Sequence, residues 1–65
     1  MTESQLKFAN NWMGLFNHDY EDIGHQLRVK KLSGNYSIEG FSSIEADEIW
    51  FYIEGIVQEN LMEET

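Results

Sequence analysis

Sixty-five residues with 12 Asp and Glu against 4 Lys and Arg carry a formal charge of −8. A chain of that length makes one domain spanning residues 1–65, with a core too small to give much reserve of stability, and its charge repels nucleic acid and anionic membrane surfaces. Without Cys there is no disulfide framework and no thiolate chemistry; no apolar run approaches the ~20 residues that span a bilayer, and no charged-then-apolar leader is present, so a cytoplasmic protein is expected.

The charge is unevenly spread: residues 1–25 carry −3, residues 26–36 carry +3 from Arg28, Lys30 and Lys31, and residues 37–65 carry −8 with no positive charge. Two Trp, four Phe and three Tyr are generous for the length and offset the small core through their large burial per residue.

The first element is a helix. Thr2 and Gln5 have the spacing of a capping box. Leu6, Ala9, Met13 and Phe16 recur at three and four residues, and Phe8, Trp12 and Leu15 widen that face. Asn17 or His18 is the expected end. Asp19 to Gly24 then reads as one short helical turn, capped by Asp19 and stopped by Gly24, or as a loop burying the same Tyr20 and Ile23.

From Gln26 to Leu32 the apolar Leu27 and Val29 alternate with Arg28 and Lys30, which predicts a strand. Ser33-Gly34-Asn35 is a turn signal, and Tyr36 to Gly40 reads as the return strand. A two-residue loop at Gly34-Asn35 pairs Lys30 with Glu39 and sets Leu27, Val29, Tyr36 and Ile38 on one face, with Lys31 snorkelling near the turn.

The last element, Ser42 to Asn60, is a long helix. Ser42 and Glu45 form a second capping box, Phe41 precedes it, and Glu45, Asp47 and Glu48 sit at the positive end of the dipole. Fraying is expected from Asn60 onward. At 100° per residue, Ala46, Ile49, Trp50, Ile53, Ile56, Val57 and Leu61 share one arc, the core face. Asp47, Glu54 and Gln58 line one flank; Glu45, Glu48 and Glu59 line the other. Opposite the core lies a second stripe of Ile44, Phe51, Gly55 and Met62.

Together these elements predict an α+β fold: a two-layer α-β-β-α domain in which two helices cover one hairpin. Its core holds Trp12, Phe16, Val29, Ile38, Trp50, Ile53 and Val57, with Trp12 facing the second helix and Trp50 the hairpin.

Chemistry-bearing clusters are few. His18, Asp19, Glu21, Asp22 and His25 offer N and O donors of the kind zinc or manganese accepts. Gly24 argues against a continuous helix through them, and the cluster reads as a polar connector, so no cofactor is expected. Acids are abundant but solvated, and Ser33, Ser37, Ser42 and Ser43 have turn or cap roles. No nucleophile has an organised base, and an enzyme is not expected. Arg28, Lys30 and Lys31 with Tyr36 form a small basic patch, more simply read as charge balance within the fold than as a nucleic-acid platform. The outer stripe is more informative. Phe and Met are favoured at interfaces and Gly55 allows close approach, so Ile44, Phe51, Gly55 and Met62 are expected to meet a partner or a second copy.

In size, acidity, lack of Cys and lack of a catalytic constellation the whole chain resembles the small acidic inhibitors encoded by bacteriophages. That group includes anti-restriction and anti-CRISPR proteins, several of which look like nucleic-acid mimics. The likeness is one of type and transfers no individual residue role. Carboxylates at i and i+3 or i+4 stand ~5–6 Å apart at their Cβ atoms, against one charge per ~3.4 Å of each B-DNA strand. A row through Glu45, Glu48, Glu59 and Glu63, with Asp47 and Glu54 on the other flank, suits a basic groove meant for a nucleic acid. The expected function is therefore a protein-binding inhibitor of a nucleic-acid-handling enzyme. The alternative is a small homodimeric structural or adaptor module whose acidity serves only solubility.

Overall fold

A computed structural model describes residues 1–62, the last of them without its side chain. It contains three helices, α1 (Glu3–Gly14), α2 (Tyr20–Ser33) and α3 (Ser43–Met62), and no strand among the described residues. The fold is all-α. The expected α+β hairpin is replaced by α2 and the loop that follows it.

The reason lies at the ends of α2. Asp19 caps its start, accepting from the backbone N–H of Glu21 at 3.1 Å and of Asp22 at 3.5 Å. Gly34 ends it in the left-handed conformation at φ 72°, its N–H donating to the Lys30 carbonyl. Glu21 and Asp22 in the first turn and Lys30 and Lys31 in the last complement the helix dipole. These signals outweigh a two-residue alternation. Ile23 and Leu27, four apart, are buried, whereas Val29 is 47% exposed and does not join the core. Gly24, expected as a stop, lies inside the helix. A Cβ there would stand 3.3 Å from Val57 Cγ1, so the missing side chain lets α2 approach α3 closely.

The segment expected as the return strand is a loop pinned at two points. Ile38 is buried, and the Tyr36 carbonyl accepts the Trp50 indole N–H at 2.8 Å. Phe41 N–H donates to the Ile38 carbonyl at 3.2 Å, and Gly40 supplies a positive φ of 89° before the loop enters α3. The expected Lys30–Glu39 pair does not form: Lys30 lies over the Trp50 ring, 4.7 Å from its centroid, and Glu39 is exposed.

Both capping boxes close. Thr2 Oγ1 accepts from Gln5 N–H and Gln5 Oε1 accepts from Thr2 N–H; Ser42 and Glu45 do the same at 3.2 and 3.0 Å. The first helix ends earlier than expected, at Gly14, and a tight turn carries Asn17 and His18 at positive φ.

Both α1 and α2 pack on α3, which is the central element. Its core arc is seated as its periodicity requires: Ala46, Ile49, Trp50, Ile53 and Val57 are buried, and Ile56 and Leu61 are partly so. From α1 come Ala9 and Met13, from α2 Ile23 and Leu27. Trp12 faces α3, its ring edge-to-face with Trp50 at 5.1 Å, and Phe8 meets Trp50 in the same manner at 6.1 Å. Phe16 stacks edge-on against Trp12 at 5.0 Å.

Candidate protein-interaction surface

With α1 and α2 both packed on one side of α3, the opposite side of that helix is left to solvent. Ile44 is 73% and Phe51 80% exposed. Gly55, one turn after Phe51, has open space where a Cβ would be. Met62 ends α3, and its side chain lies outside the described part of the structure. The exposure of these apolar groups is a consequence of topology. Their spacing of seven and four residues places them on one line along α3, and the fold brings no element to cover it.

Phe51 is a ridge between two shallow recesses. One, of about 470 Å3, is lined by Met1, Asp47, Glu48, Phe51 and Tyr52. The other, of about 200 Å3, is lined by Tyr36, Asp47, Trp50, Phe51 and Glu54. Met1, Tyr36 and Tyr52 were not expected at this surface. Tyr36 arrives because the loop before α3 is held to Trp50 through its carbonyl, and Met1 because it precedes α1 at that end of α3. A helical wheel of α3 places Tyr52 beside Glu48 and Glu59, so that residue was within reach of the sequence.

The acidic residues divide by what they already hold. Glu45 Oε1 closes the capping box. Glu48 Oε1 accepts from the buried Gln5 amide at 3.2 Å, and Gln5 also donates to the Glu45 carbonyl. That contact fixes the position of Glu48 and brings no cation to it. Glu54 is paired with Lys31 at 2.9 Å, a contact that holds the Lys31 ammonium above its ordinary pKa, through the hydrogen bond first and the charge second. Asp47 and Glu59 are exposed and make no hydrogen bond to a described residue. Glu63 lies outside the described residues. The negative charge beside Phe51 is therefore carried by Asp47 and Glu48, with Glu59 further along, rather than by an even row of free carboxylates.

The other clusters are dispersed. His18 sits in the turn before α2, Asp19 is occupied as a cap, and Glu21, Asp22 and His25 are exposed on α2. Among the described residues no group of three or more His, Asp or Glu side chains is arranged to hold a metal. Of the three cations expected in a basic patch, Lys30 covers Trp50 and Lys31 holds Glu54, which leaves Arg28 at the surface. No described helix is long and apolar enough to cross a membrane. Comparison of the chain with protein-family models, curated proteins and solved structures gives no match.

Proposed function

We propose that the chain is a protein-binding inhibitor that lays the outer face of α3 into a basic groove where its target would otherwise hold nucleic acid. One observation carries this reading: Phe51, 80% exposed, stands between recesses walled by Asp47, Glu48 and Glu54, on a helix without a single positive charge. An exposed aromatic flanked by like charges suits a cationic groove with an apolar floor. The aromatic supplies the anchor and the carboxylates supply steering and register. Gln5 fixes Glu48 before binding, so less side-chain freedom is lost there on association.

The test is competition. The protein is used as bait in its native host, and the captured partner is challenged with duplex DNA and with RNA. Displacement of the bait by one of them, in proportion to concentration, is the expected result. A partner that binds both at once through separate surfaces would sink the proposal.

A homodimer through the same face is the second reading. It is favoured by Gly55, whose open surface beside Phe51 is where the second copy's Phe51 would seat about a two-fold axis. Salt separates the two. Added salt weakens docking into a cationic groove and strengthens the meeting of two acidic faces.

A further inference from the structure

A cleft of about 330 Å3 runs between α2 and α3, away from the outer stripe. Its floor is apolar: Leu27 and Val57 are buried and Leu61 is partly so. Gly24 contributes backbone alone at one end, where the two helices approach closely at Val57. The Lys31–Glu54 ion pair ties the two helices together at the other end. One turn from Lys31 on the same rim stands Arg28, and one turn from Glu54 on the facing rim stands Gln58. Neither makes a hydrogen bond or ion pair with a described residue, and both are exposed.

We propose that this cleft binds a medium-chain aliphatic carboxylate, its chain on Leu27, Val57 and Leu61 and its headgroup on the Arg28 guanidinium. Among the described residues Arg28 is the cation on the cleft that no acid pairs, and a guanidinium holds a carboxylate through two parallel N–H donors. The Gln58 amide can donate a further hydrogen bond from the opposite rim. A single negative charge is favoured over two, because Glu54 at the mouth and the net charge of −8 oppose a dianion. The volume sits at the lower end of the ~300–1,000 Å3 range of small-molecule sites. At about 30 Å3 per water it has room for on the order of ten non-hydrogen atoms, the size of octanoate. The site shares Glu54 with the recess beside Phe51 but needs neither Phe51 nor a protein partner.

Sodium octanoate titrated into the 15N-labelled protein tests this, with 1-octanol as the neutral ligand of equal chain length. Saturable amide shifts centred on Gly24, Leu27, Gln58 and Leu61 are expected, with affinity in the millimolar range or tighter, about −4 kcal/mol. Arg28→Gln, at an exposed position that leaves the fold intact, is expected to weaken octanoate at least about ten-fold, the scale of one charge-assisted contact, and to leave 1-octanol unchanged. Shifts that do not saturate by about 10 mM, ten times a millimolar Kd, would overturn the proposal. So would shifts centred on Phe51 and Tyr52, or equal octanoate affinity of Arg28→Gln and wild type.

Discussion

Trp50 does more for this fold than any other side chain. It is 5% exposed, packs edge-to-face with Phe8 and Trp12, lies under Lys30, and holds the loop before α3 through its indole N–H on the Tyr36 carbonyl. Trp50→Ala should cost ~3–5 kcal/mol, which a domain of this size cannot spare. Trp50→Phe keeps most of the packing but orphans the carbonyl, and should cost ~1–3 kcal/mol. Urea unfolding followed by helical circular dichroism reads both, and a cooperatively folded Trp50→Ala with wild-type midpoint would refute this placement. The interior glycines make a matched pair. Gly55 faces open space, so Gly55→Ala should stabilise by up to about 1 kcal/mol through helix propensity. Gly24 faces Val57 at 3.3 Å, so Gly24→Ala should gain less, and Gly24→Val should destabilise by ~1–3 kcal/mol through overpacking. The same urea midpoints check the order. At Lys31 the folded-state pKa is raised by Glu54, so whatever that pair contributes is fully present below the unfolded value, near 10.4, and is lost as pH rises through the higher folded value. The stability difference between wild type and Lys31→Met should therefore shrink as pH rises through that alkaline window.

At the scale of elements, α2 is where reading the sequence and folding it diverge. The first and last helices announce themselves through capping boxes and long periods, and α3 in particular buries the arc its spacing prescribes. In α2 the cap at Asp19 and the stop at Gly34 lie far apart, with Gly24 between them. Read locally, Gly24 terminates a turn and Gln26 begins a strand. The helix persists because packing against Val57 rewards the missing side chain, a tertiary effect that no local propensity contains. Acid in the first turn and base in the last were visible, and they correctly describe one dipole spanning the whole segment. Asp19→Ala removes the cap and should cost ~1 kcal/mol, with loss of helicity confined to the start of α2. Amide hydrogen exchange would register it there; unchanged protection from Glu21 to Gly24 would contradict the capping role. The exposed apolar face was legible as far as it lies on α3. Ile44, Phe51 and Gly55 follow from a helical wheel alone, as does Tyr52. Met1 and Tyr36 join them only through the chain's return path. What each carboxylate already binds depends on Gln5 and Lys31, which are distant in sequence.

The whole molecule is a strongly acidic three-helix domain whose central helix is covered on one side and bare on the other. Left in water, Ile44 and Phe51 make an apolar patch of the kind that marks interaction sites. Phe51→Asp should leave the core untouched, because the side chain is 80% exposed. It should abolish an association. If the association is with a second copy, sedimentation shows a wild-type dimer that strengthens with added salt and a Phe51→Asp monomer at every ionic strength. If it is with a cationic target, both proteins sediment as monomers and only target binding is lost.

In the proposed function the α3 outer face docks by charge and by Phe51 together. The most direct measurement of that docking is the affinity of the captured partner for wild type and for the double reversal Asp47→Lys/Glu59→Lys, each at low and at physiological salt. Both positions are exposed and make no hydrogen bond to a described residue, so with the fold checked by circular dichroism a loss of binding reports the interface. The expected result is an affinity for wild type that falls steeply with salt and a double variant weakened at least about ten-fold at low salt, with the difference narrowing as salt rises. Equal affinity of the two proteins, unchanged across that range, would contradict the account.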